Sequence, residues 1–156
     1  MVHEYKNMIL IKNTQHKISA NTDKIKKDVD QMLHLLNYQD FDIGIWLTTN
    51  QTIRKYNFMY RKKNKATDIL SFPYHTSLKP GQRIKITTEE DKNLGDIIIS
   101  LEFALNDASK LKQSLSKHLK MLLAHGITHL LGFDHKTDEE YIKMQKVEQK
   151  LLKSIK

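Results

Sequence analysis

Leu119, Leu122, Leu123 and Leu130 recur at helical spacing across residues 114–131, and a helix this apolar on one side must lie against other secondary structure. At about 100° per residue, His118, His125 and His129 fall in a narrow stripe beside that leucine face, so their rings border a core instead of facing bulk water. The rest of the chain has to supply the surface that this helix covers. Four segments qualify as strands. Residues 7–12 carry Met8-Ile9-Leu10-Ile11, a short apolar run, and residues 41–49 alternate, with Ile43, Ile45 and Leu47 on one side and Asp42, Gly44 and Thr48 on the other. Residues 68–73 form a strand closed by Pro73, and residues 94–100, with three consecutive isoleucines, read as a buried strand.

Helices separate these strands. Asn21 or Thr22 caps a helix whose Ile25, Val29, Met32, Leu33 and Leu36 share a face before Asn37 stops it. Asn50 is the expected cap of a short helix through about Tyr60, and Ser100 of one over 101–111. Thr137 with Glu140 makes a capping box for the last helix, whose apolar face is Tyr141, Met144, Val147, Leu151 and Ile155. Residues 75–93, with Pro80-Gly81 and the charged Glu89, Glu90, Asp91 and Lys92, read as a surface excursion or lid. The order strand, helix, strand, helix, two strands, three helices predicts an α+β fold, a small mixed β-sheet of about four strands backed by helices. With 156 residues, no internal repeat and no Pro-rich linker, one domain over 1–156 is expected.

Composition narrows the chemistry. The chain has no cysteine, which excludes disulfides, thiolate metal sites and Cys nucleophiles, so a transition-metal site must be built from His, Asp and Glu. Its formal net charge of +8 favours polyanions such as RNA as partners. No apolar run approaches bilayer-spanning length, and the N-terminal Met1-Val2-His3-Glu4-Tyr5-Lys6 lacks the features of a secretory leader, so a cytoplasmic protein without membrane attachment is expected.

The segment from His125 to His135 solves a coordination problem. Residues four apart stand one turn apart, so His125 and His129 project from the same stripe and can hold one ion from two sides. Gly132 can take the left-handed conformation that ends the helix, and the chain then swings His135 back as a third nitrogen ligand. Three protein ligands on one tetrahedral zinc ion leave a position for water, which the ion acidifies, giving hydroxide for a phosphodiester or a carbonyl. The metal site therefore sits on the long helix and the turn after it. His118, two turns before His125, is too far for a fourth ligand on a straight helix and is expected to support the site or simply pack. Asp134 either accepts a proton from a ligand's second ring nitrogen or is a solvated turn residue. The spacing equals that of the long zinc-protease motif, His-Glu-x-x-His-x-x-Gly-x-x-His, except that Gly126 stands where the peptidase has its general base.

The run His125-Gly126-Ile127-Thr128-His129-Leu130-Leu131-Gly132-Phe133-Asp134-His135 resembles the hallmark of the YbeY family of metal-dependent endoribonucleases, His-Gly-x-Leu-His-Leu-x-Gly-Tyr-Asp-His. It departs at Thr128 and Phe133, neither a presumed ligand. Asn57, Tyr60-Arg61, Thr67-Asp68-Ile69-Leu70-Ser71-Phe72-Pro73 and Leu94-Gly95-Asp96-Ile97 also match, and His118 falls where the family tends to have His. The resemblance implies a single-strand-specific endoribonuclease with zinc as the usual metal. It further implies action in 16S rRNA 3′-end maturation and late ribosome quality control, with the small ribosomal subunit, and ribosome-associated proteins, as partners.

The basic residues fit that implication. Arg61 is one of only three arginines among 26 basic residues and heads the run Arg61, Lys62, Lys63, Lys65. Its guanidinium can grip a phosphate with two donors, whereas lysine is a point charge, so Arg61 is the expected catalytic contact and Lys62, Lys63 and Lys65 the expected RNA contacts. Tyr56, Phe58 and Tyr60 interleave with these charges as base stacking would require, or pack in the core. Ser71 and Asp96 are expected to border the cleft, though both have ordinary structural uses. Two other readings stay open: a zinc peptidase-like hydrolase, and a non-catalytic ribosome-assembly factor whose metal is structural.

Overall fold

A computed structural model describes residues 7–155. Met1 to Lys6, read above as lacking a leader, lie outside the described residues. The elements are β1 (Ile9–Asn13), α1 (Thr22–Leu35), β2 (Asp42–Thr48), α2 (Asn50–Arg61), β3 (Ile69–Pro73), β4 (Asn93–Ser100), α3 (Leu101–Lys110), α4 (Leu115–Leu130) and α5 (Asp138–Ser154), with one 3-10 turn at Glu89–Asp91. The sheet runs β1-β2-β4-β3, parallel except for the antiparallel edge strand β3. This is the mixed four-stranded sheet of an α+β fold. Among the described residues no helix is long and apolar enough to cross a membrane.

Alternation decides which side chains go where. Ile43, Ile45 and Leu47 of β2 and Ile97 and Ile99 of β4 turn to the face covered by α4, with α1, α3 and α5 around it, and form one core that reaches from Ile9 to Ile155. Each such isoleucine or leucine contributes about 1.5–3 kcal/mol by leaving water. The other face carries only a small cluster, Ile53 of α2 on Leu70 and Ile98, edged by Trp46, Tyr56 and Phe72. Ser100 caps α3 as expected, its Oγ accepting from Phe103 N at 3.2 Å.

Three local expectations need correction. The cap of α2 is Thr49, whose extended backbone lets its hydroxyl accept from Thr52 N. Asn50 is already helical, and its Oδ1 accepts instead from Ser100 Oγ at 2.7 Å. Thr137 caps α5, but Glu140 answers the backbone N–H of Lys136, not that of Thr137. Tyr141 points to solvent, leaving Met144, Val147, Leu151 and Ile155 to pack. The excursion over 75–93 is also pinned more than a free lid would be. Ile84 is buried and donates to the Tyr38 hydroxyl, while Arg83 stacks on the Tyr38 ring and donates to the Leu36 and Asn37 carbonyls.

Candidate metal centre

Helix α4 ends in a Schellman motif, which builds the site. Gly132 N donates to His129 O and Phe133 N to Thr128 O, with Gly132 at φ +91. A side chain there would be strained and would also strike Leu78 O, 2.2 Å from the position of a Cβ, so the pinned excursion closes over this turn. The reversal brings His135 beside the helical pair. Ligand-capable nitrogens of His125, His129 and His135 all lie within 4.8 Å of one another.

Hydrogen bonds fix which nitrogens face inward. His125 Nδ1 lies 2.8 Å from Glu148 Oε1, and His129 Nδ1 lies 2.9 Å from the Phe133 carbonyl. Both partners only accept, so each Nδ1 carries a proton, and in the neutral ring each Nε2 presents a lone pair. Those two Nε2 atoms are 3.1 Å apart. Facing lone pairs repel unless a cation or proton lies between them, and donors on a tetrahedral ion with about 2.0–2.1 Å bonds stand about 3.3 Å apart. Burial, followed by the neighbouring His125, pushes the His129 pKa below its ordinary value, favouring the neutral, ligating form. The residues present therefore fit a divalent transition metal.

The profile of the family described as Endoribonuclease YbeY matches residues 10–156. A human protein named Endoribonuclease YbeY is 33% identical over 144 residues, covering 92% of this chain and 86% of the relative. One from Aquifex aeolicus is 37% identical, covering 96% and 93%, and one from a Sulfurihydrogenibium species is 40% identical, covering 89% and 86%. The chain belongs to the YbeY family. A Thermotoga maritima protein solved in solution shares the fold, with a TM-score of 0.56 over 92% of this chain and 89% of its own length at 20% identity.

At the two departures from the YbeY pattern, neither residue offers a ligand. Thr128 is buried and its hydroxyl donates to the Ala124 carbonyl, while Phe133 packs on the core and lends its carbonyl to His129. The partner that sequence reasoning missed is Glu148, from α5. It stands four residues after Met144 and three before Leu151, so a carboxylate interrupting the apolar stripe of the last helix was the available signal. Replacing Glu148 with Gln is expected to weaken metal affinity about 10- to 100-fold, because the amide no longer holds the ring as firmly or raises its basicity. Competition with a chromogenic chelator measures this; unchanged affinity would show that the ring needs no carboxylate.

Other expected site residues fall in different places. Asp134 does not accept from a ligand ring; its Oδ1 takes the backbone N–H of His135 at 2.8 Å, and this bond, first among its causes, holds its pKa low. That carboxylate shapes the turn which presents His135. His118 is buried and paired with Gln113 at 2.9 Å, apart from the three-histidine cluster. Ser71 lies on the α4 side of β3, opposite Ile97 in register, and so on the cluster's side of the sheet. Asp96 does not border the cluster. It pairs with Phe72 on the opposite face, where strand parity puts it.

Arg61 ends α2, exposed, and next to it Tyr60 packs its ring 5.0 Å from Phe72 of the edge strand. Its guanidinium has no hydrogen-bond or ion-pair partner among the described residues. Lys62, Lys63 and Lys65 follow on an exposed loop that buried Asn57 clamps, its Nδ2 donating to Lys65 O at 2.9 Å. Lys62 takes a left-handed conformation as the C-cap of α2. The loop that bears the basic run is thus tied to α2, which packs on the sheet face opposite the histidine-bearing α4.

Proposed function

We propose that this chain is a single-strand-specific endoribonuclease whose one metal ion, zinc or another divalent transition metal, is held by His125, His129 and His135. The observation that carries the reading is the pair of Nε2 lone pairs facing each other at 3.1 Å, each fixed by an acceptor behind its ring. The family name carried by relatives at 33–40% identity supports RNA as the substrate, as does the formal charge of +8. A divalent ion here supplies Lewis acidity toward a phosphodiester and acidifies water at neutral pH.

The chain's own residues do the positioning. Glu148 and the Phe133 carbonyl lock the two helical imidazoles, and the Asp134 turn presents the third. A single strand crossing the β3 edge meets Lys62, Lys63 and Lys65 through its phosphates, and Arg61 engages the scissile one with two donors, stabilising charge that builds on it. Ser71 borders this path. The proposal extends to one cytoplasmic domain over 1–156 acting on 16S rRNA at its 3′ end and in late ribosome quality control, with the small ribosomal subunit and its associated proteins as partners.

Incubation with a short single-stranded RNA and, separately, with a peptide library decides among the readings. RNA cleavage that a chelator abolishes and added zinc restores is expected, with the peptides intact. Peptide cleavage would favour the peptidase, and RNA binding with no cleavage at any metal load would favour the assembly factor. In the same assay Arg61→Ala is expected to lower the turnover rate about 100-fold with metal content unchanged, and Arg61→Lys to recover only part. Wild-type turnover in Arg61→Ala would remove that residue from the mechanism.

A further inference from the structure

On the sheet face away from the histidines lies a pocket of about 490 Å³, well inside the size range of small-molecule sites. Trp46, Tyr60 and Phe72 form its walls, Lys12 stands at its side, and Asp96 lies among them. The Asp96 carboxylate reaches over β2 at Gly44, its register partner, where a Cβ would come within 2.2 Å of Oδ1. Glycine at that position is what lets the carboxylate occupy the pocket. The Asp96 carboxylate has no hydrogen bond or ion pair among the described residues, and partial burial raises its pKa. Asp96 is an exposed acceptor with two oxygens that shares this pocket with aromatic rings, an arrangement suited to a flat ligand with two adjacent donors.

The geometry points to a subsite for one unpaired guanine base of the RNA, stacked against the aromatic walls with its N1–H and N2–H donated to the two oxygens of Asp96. Guanine alone among the four bases offers two neighbouring donors on its Watson–Crick edge. Adenine and cytosine set a ring lone pair beside their amino group, and uracil flanks its N–H with carbonyls, so each would aim an acceptor at the carboxylate. Stacking on aromatic residues with readout of that edge is how unpaired bases are recognised. An arginine side chain from a protein would satisfy the same carboxylate and rings. Charge favours the nucleotide: Lys12 stands 4.9 Å from the Trp46 ring centroid, and Tyr60, a pocket wall, leads straight into the basic run at Arg61. This inference rests on the reading of RNA as substrate and adds a base preference to it.

Trp46 is the only tryptophan in the chain, so its fluorescence reports the pocket directly. Titrating metal-free protein with GMP, AMP, CMP and UMP is expected to give saturable quenching, with GMP binding at least about tenfold tighter than the others. Asp96→Asn, nearly isosteric, is expected to erase that preference while retaining the wild-type melting temperature, since it replaces one acceptor with a donor. Should that variant unfold, Tyr60→Ala, at an exposed position, supplies the second arm by weakening all four nucleotides together. Absence of saturable quenching, equal affinity for all four bases, or tighter binding of an arginine peptide than of GMP would overturn the assignment. Because the readout needs neither metal nor turnover, guanine preference without RNA cleavage would sink the nuclease reading alone, and cleavage without preference would sink the subsite alone.

Discussion

Alanine at His129 is expected to leave purified protein without its equivalent of metal and to lower RNA cleavage about a thousandfold or more. The ring contributes one of the two nitrogens already set by the helix, and its Nδ1 is tied to the Phe133 carbonyl in the turn that carries His135. Its loss removes a ligand and loosens the support of another at once. What remains is His125, held by Glu148, and His135 on an exposed turn, a pair that cannot enclose an ion. Losing the several kcal/mol of charge stabilisation that a bound ion gives a phosphoryl transition state corresponds to three or more decades in rate at about 1.4 kcal/mol each. Elemental analysis and cleavage of a short single-stranded RNA measure the two effects on one preparation. Thermal melting supplies the control: added zinc should raise the wild-type midpoint and leave that of the variant unmoved, because only a state that binds the ion is stabilised by it. Wild-type cleavage by a metal-free His129→Ala protein would remove the ion from the chemistry.

The three histidines were legible because their placement needs only local rules. Helical spacing set two of them, and a glycine able to adopt positive φ set the return of the third. Glu148 was not legible by the same rules: it sits 23 residues from His125, and its reach depends on how α5 rotates against α4. Only the oddity of a carboxylate in an apolar stripe pointed to it. Asp96 misled for a related reason. Three consecutive isoleucines make β4 apolar on both faces, so the run alone could not say which face α4 covers or on which side Asp96 would emerge. The sheet and helices followed from periodicity, while the cap of α2 turned on which of two adjacent polar residues, Thr49 or Asn50, held an extended backbone.

Gly126→Glu would complete the zinc-peptidase pattern on paper, and it is expected to cripple the protein instead. Gly126 is buried where α4 crosses β3 and β4, and a Cβ there would lie 2.8 Å from Ile97 Cδ1 and 2.9 Å from Ile69 Cδ1. The isoleucine tips would have to yield even to alanine, whose helix propensity, better than that of glycine by about 1 kcal/mol, offsets part of the strain. Glutamate adds a carboxylate among isoleucines with no donor to meet it, and the combined overpacking and unpaired burial should cost about 3–5 kcal/mol. For a chain of this size that lowers the melting midpoint by roughly 10 °C or more. The flanking residues are His125 and the turn leading to His129, so lifting α4 from the sheet should spread the histidines and reduce metal content as well. Melting followed by circular dichroism, with elemental analysis, tests both effects. A variant with wild-type midpoint and full metal would mean that position 126 is open enough for a peptidase-type base, and the structural case against peptide hydrolysis would fail.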